Sequence, residues 1–116
     1  MGYTHYWDVK KPFTAKNWLA FVKDAKKLIK TSSVHLAGPR GKTRTKPILN
    51  ISEVSFNGVE DDAHETCRLT PGYTGFDFCK TAEKPYDKIV VDILMLARKY
   101  NPSIKLSSDG GPEIFN

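Results

Sequence analysis

Cysteine is scarce in this chain of 116 residues: Cys67 and Cys79 are the only two, and neither belongs to a C-x-x-C pair. That number is too small for a disulfide scaffold and that spacing excludes zinc-ribbon and thioredoxin-like motifs; in a cytoplasmic context two reduced, largely buried thiols are expected, with a single Cys67–Cys79 disulfide as the alternative. Long apolar runs are missing as well. The longest, Ile89 to Ala97, is interrupted by Asp92, whereas a bilayer needs roughly 20 apolar residues, so neither a spanning helix nor a membrane partner is expected. The start of the chain, Met1 to Trp7, has no basic stretch followed by an apolar one, which argues against a secretory leader and for the cytoplasm. Histidine numbers only three, with no H-E-x-x-H or comparable spacing, so no metal site is expected. Glu60-Asp61-Asp62 ahead of His64-Glu65 reads instead as an acidic turn leading into a strand.

Charge is present in quantity and is unevenly placed. The chain carries a formal +5, but residues 1 to 58 hold 11 Lys/Arg against 3 Asp/Glu, while residues 59 to 116 hold 7 against 10. A basic half beside an acidic half suits an anionic partner docking on one side.

Residue patterning predicts one α+β domain over 1–116. Gly2 to Asp8 alternates, with Tyr3, His5 and Trp7 on one face of a strand and Thr4, Tyr6 and Asp8 on the other. Thr14 then suits an N-cap, with Phe13 stapled on Trp18. Trp18, Phe21, Val22, Ala25, Leu28 and Ile29 form the apolar stripe of a helix that ends near Lys30, with Lys16, Lys23, Lys27 and Lys30 on its far face. Short β-like pieces follow at Val34 to Leu36, Pro47 to Ile51, Val54 to Phe56, Glu65 to Leu69 and Phe76 to Phe78, separated by Gly, Pro, Asn and Asp. A second helix is predicted with Pro85 at its first position and Asp87 in its first turn. Its stripe runs through Tyr86, Ile89, Val90, Ile93, Leu94 and Ala97, and Ile104 to Leu106 makes a last strand. The sum is a small antiparallel or mixed sheet with two helices packed on one face.

The sequence Gly38-Pro39-Arg40-Gly41-Lys42-Thr43 is two residues short of a Walker-type phosphate loop and runs into Arg44-Thr45-Lys46-Pro47, which cannot begin the required helix. A nucleoside-triphosphatase is therefore excluded. The loop nevertheless concentrates Arg40, Lys42, Arg44 and Lys46, cations able to close on phosphate. His5 between Tyr3 and Trp7 offers a ring-stacking face with a titratable contact, against the alternative of plain core packing. Lys80, Thr81, Lys84 and Tyr86 surround the predicted start of the second helix, where free amides favour anions. No elbow or other local signature marks a nucleophile.

The words G-Y-T-H-Y-W (2 to 7), F-N-G (56 to 58), H-E-T (64 to 66), F-C-K-T-A-E-K-P-Y-D (78 to 87) and S-S-D-G (107 to 110) resemble the recurring pieces of a family of small uncharacterised phage and prophage proteins, from one end of the chain to the other. The resemblance implies a phage-type accessory protein of the host-cell cytoplasm and draws attention to His5, Asn57, His64, Lys80, Asp87 and Asp109. By analogy with phage proteins that antagonise host defence, a small phosphorylated, nucleotide-like ligand is the leading expectation, stacked on Tyr3 or Trp7 and held by Arg40, Lys42 and Lys80. One concave site is expected, gathering His5, Asn57, His64, Lys80 and Asp109 near the N-terminus of the second helix. Two alternatives stand beside it: a nucleic-acid or acidic-protein binder using the lysine face of the first helix with the 40–46 loop, and a small hydrolase or transferase. In the latter, His5 or His64 is the base, oriented by Glu65 or Asp87. No cofactor is expected, and a homo-oligomer is compatible with all three.

Overall fold

In the computed structural model, which describes residues 3–116, β1 (Thr4–Val9) is followed by α1 (Ala15–Thr31), β2 (Ile48–Leu49), β3 (Val54–Phe56), β4 (Cys67–Leu69), β5 (Gly75–Lys80), α2 (Asp87–Tyr100) and β6 (Ile104–Ser108), with single 3-10 turns at Glu60–Asp62 and Pro112–Phe115. Gly2, assigned above to the first strand, lies outside the described residues. The α+β domain has its six strands divided between two antiparallel sheets of three, ordered β5-β1-β6 and β2-β3-β4.

The alternation of β1 decides the first sheet. Trp7 and Val9 point into the core together with His5, and Tyr6 and Asp8 point outward, which is the period-2 division expected of a strand covered on one side. β1 is central, pairing His5 with Cys79 of β5 and with Ser108 of β6. Thr14 caps α1 by accepting the Asn17 amide at 3.1 Å, and Phe13 sets its ring edge-on to Trp18 at 5.0 Å. Trp18, Phe21, Val22 and Ala25 bury one stripe of α1 against α2, whose Ile89, Val90, Ile93, Leu94 and Ala97 are likewise buried. Val54, Phe56, Cys67 and Leu69 of the second sheet join the same cluster, so both sheets and both helices share one core.

Three local expectations are corrected. Val34 to Leu36 forms no strand; only Ala37 bridges, to Asn57. The piece from Pro47 to Ile51 contracts to Ile48–Leu49, since Pro47 has no amide to give a ladder. The second helix starts at Asp87, two residues after Pro85. Ala82 and Glu83 adopt left-handed φ of 52° and 57° and fold the chain into a turn closed by Lys84 N–H to Thr81 C=O at 3.0 Å. That turn delays the helix.

Candidate functional site

Three of the sequence words meet around His5. Its ring has no exposed surface. Nε2 lies 2.7 Å from Asp87 Oδ1 and Nδ1 lies 2.8 Å from Ser108 Oγ, so Nε2–H donates to the carboxylate and Nδ1 is hydrogen-bonded to the serine hydroxyl. The buried Thr81 hydroxyl also donates to Asp87 Oδ1. Burial pushes the Asp87 carboxyl up, but the hydrogen bonds from His5 and Thr81 and the attraction of His5 outweigh it, and the group titrates below its ordinary value. Tyr3 and Phe115 stand edge-on to the imidazole at 5.3 and 5.7 Å. A Cβ on Gly110 would come within 2.0 Å of the Tyr3 hydroxyl, so that approach needs glycine. Beside this group, Asp109 accepts the Thr4 amide at 3.0 Å and the Tyr6 hydroxyl at 2.8 Å.

The order Ser108, His5, Asp87 is that of nucleophile, base and orienting acid, which local sequence signals did not reveal. Of the three side chains only His5 is fully buried, while Ser108 and Asp87 are half-buried. The trio ties β1, β6 and α2 together. At the expected anion site, Asp87 takes the first position of α2 with its carboxylate bonded to His5 and Thr81, and Thr81 and Tyr86 are buried.

A second group forms around Asn57. Its Oδ1 accepts the amides of Gly58 at 2.8 Å and His64 at 3.0 Å, and its Nδ2 donates to the carbonyls of His64 at 3.0 Å and Pro39 at 3.2 Å. Every hydrogen-bonding position of this buried amide is used on backbone. The His64 side chain is itself exposed. Glu65 joins the two groups: its carboxylate accepts the Lys80 amide at 2.7 Å and its carbonyl accepts the Tyr86 hydroxyl at 2.6 Å. Tyr86 is wholly buried, and burial raises its phenol well above the ordinary value. Trp7, 2% exposed, packs in the core. Trp7 therefore has no face free for a ligand ring, contrary to expectation, and the Tyr86 hydroxyl, expected at an anion site, is instead spent on the Glu65 carbonyl.

The basic loop is not loose. Gly41 takes φ 69° and Arg44 φ 67° in successive turns closed by Gly41 N–H to Gly38 C=O at 2.9 Å and Thr45 N–H to Lys42 C=O at 3.2 Å. Thr43 gives its amide and its hydroxyl to Glu60 at 2.7 and 2.8 Å, and these bonds, the amide first, hold the Glu60 carboxyl below its ordinary value. Thr66 Oγ1 donates to Pro39 C=O at 2.6 Å. The fixed loop, with β2 and β4, walls an open groove of about 570 Å³ lined by Arg40, Lys42, Lys46 and Arg68 above Pro39 and Ile48. No carboxylate lines it.

Among the predicted residues, Arg40 and Lys42 line this groove; Tyr3, His5, Thr81, Asp87 and Asp109 belong to the β1–α2–β6 group; Asn57 and His64 form the second group; and Lys80 lies on β5 between them. Arg68, which sequence reasoning missed, is exposed between buried Cys67 and Leu69, an alternation that could have found it. Among the described residues no three His, Cys, Asp or Glu side chains gather as they would around a metal ion. Comparison with protein-family models, with curated proteins and with solved structures gives no match.

Proposed function

We propose that the groove between the 38–46 loop and β2–β4 binds a small phosphorylated, nucleotide-like ligand. The observation that carries this reading is the lining: four cationic side chains, no carboxylate and the apolar Pro39 and Ile48, in a volume within the usual range for small-molecule sites. Arg40 and Lys42 meet the phosphate, one as a planar fork and the other as a point charge, while Pro39 and Ile48 support the ligand's flat part and the guanidinium of Arg68 covers it. Arg68 keeps one hydrogen bond to Glu53 at 3.2 Å through Nε, which orients the guanidinium and leaves its two terminal nitrogens for the ligand. A phage-type accessory protein built this way would sequester a nucleotide-derived host signal in the cytoplasm without chemistry of its own.

Thermal-shift and calorimetric titration against nucleotides, cyclic nucleotides and ADP-ribose derivatives tests it. A true ligand at 100 times its Kd raises stability by about 2.7 kcal/mol. Arg40→Ser and Lys42→Ser, both at exposed positions, should each weaken binding about tenfold or more without altering the fold. A panel without any shift, or a ligand whose affinity ignores both substitutions, would reject the groove.

A further inference from the structure

The outward face of the sheet β5-β1-β6 carries Tyr6, Phe76 and Phe78 side by side. Phe76 is 57% and Phe78 47% exposed. Their rings form a continuous row, Tyr6 to Phe76 at 6.0 Å and 27° between planes, Phe76 to Phe78 at 6.2 Å and 35°. Phenylalanine is a poor choice for a solvated strand face when the inner face already supplies the core, and contiguous exposed apolar rings mark binding surfaces. The row is also held in place. Asp109 accepts the Tyr6 hydroxyl and thereby raises its phenol above the ordinary value, so the ring at one end of the row is oriented and stays neutral.

From this face we infer a second binding activity, independent of the groove: the aromatic row is a stacking platform for single-stranded nucleic acid. Aromatic side chains on an open antiparallel sheet stack unpaired bases whatever their sequence, provided cations track the backbone. Here the cations are Lys80 and Lys105, which the register places opposite Thr4 and Asp8, at diagonally opposite corners of the ring row. The two carboxylates on the same face are already engaged, Asp8 by Lys10 at 2.7 Å and Asp109 by Tyr6 and Thr4. Asp109 keeps its negative charge, and with Asp8 paired to Lys10 the two lysines still leave these side chains with a positive balance.

A second copy of the chain fits the face less well. Strand addition at the β5 edge is blocked, since Lys80 N–H is taken by Glu65, Phe78 N–H by Asp77 at 2.8 Å, and the Phe76 carbonyl by the Tyr73 hydroxyl. Face-to-face pairing would rest on three partly exposed rings, well short of the roughly 800 Å² per partner of a stable interface.

Fluorescence anisotropy with labelled ten-nucleotide oligo-dT and oligo-U, at low and at physiological salt, is the direct test. Both oligomers should bind. Phe76→Ala and Phe78→Ala should each weaken binding at least about fivefold, and Phe78→Leu, which keeps an apolar side chain but no π face, should weaken it nearly as much. Replacing Lys80 or Lys105 with Gln should lower the slope of log affinity against log salt by about 1 each, while Lys42→Ser should leave affinity within twofold. Circular dichroism of each variant verifies that the fold is kept. The inference is overturned if neither oligomer binds at low salt, if binding follows Lys42 and not the rings, if Phe78→Leu binds as wild type, or if sedimentation shows that the rings support self-association instead.

Discussion

His5 shows how a polar residue can sit at the centre of a small core. Burying an imidazole without partners would cost several kcal/mol, and here each nitrogen has one. Its main partner sets a pH dependence. Because the folded Asp87 carboxyl titrates below its ordinary value of 3.8, the stabilisation it gives is complete above that value and is lost as pH falls through the lower, folded one. Asp87→Asn should therefore cost about 2 kcal/mol at neutral pH, the magnitude expected for hydrogen bonds to a charged group. The difference from wild type should close as the medium is made more acidic than the ordinary value. Urea unfolding of both proteins across that range checks it; a gap independent of pH would mean that shape, and not charge, was lost. The same scale explains why the polar words were legible as important but not as to role. His5, Asn57 and Asp109 are costly residues wherever they stand, yet only their partners in space distinguish a brace from a site.

At the level of elements, what local chemistry determines was readable and what pairing determines was not. The α1 stripe, its Thr14 cap and its Phe13 staple all follow from residues within one or two turns of each other, and they occur where the pattern places them. The short strands depend on partners elsewhere in the chain, so Val34 to Leu36 remains loop while Gly75–Lys80 extends beyond Phe76 to Phe78 by pairing with β1. The start of α2 was misplaced because two non-glycine residues, Ala82 and Glu83, take left-handed backbone that no propensity signals. The Thr14 cap permits a clean test of the local part. Thr14 is exposed and its hydroxyl accepts only the Asn17 amide, so Thr14→Ala should cost about 1 kcal/mol and Thr14→Ser much less. Equal losses for the two, by thermal denaturation, would show that the methyl and not the oxygen matters at that position.

For the molecule as a whole, the radius of gyration of 13.1 Å is that of one compact domain. The division of charge read from the two halves is only partly spatial: the groove takes Arg40, Lys42 and Lys46 from the basic half and Arg68 from the acidic one. No window along the chain contains that set, which is why the groove as a whole could not be read from sequence. The two sheets meet at the cysteines, with Cys67 in β4 of one and Cys79 in β5 of the other, both free and wholly buried. Contact with Cys79 and burial raise the Cys67 thiol well above its ordinary value, so in the folded protein the reactive thiolate is suppressed by protonation as well as by access. If the sheets share one cooperative core, both thiols become available only when the entire domain opens. Their reaction with a chromogenic disulfide reagent should then be at least about a thousandfold slower in the native protein than in urea. The two should also react at a common rate in single-cysteine variants, Cys67→Ala and Cys79→Ala, once corrected for each variant's own stability. A Cys79 that reacts ahead of Cys67 while the far-ultraviolet spectrum stays native would instead mean that β5-β1-β6 peels away from β2-β3-β4, making the joint between the sheets the weakest part of the fold.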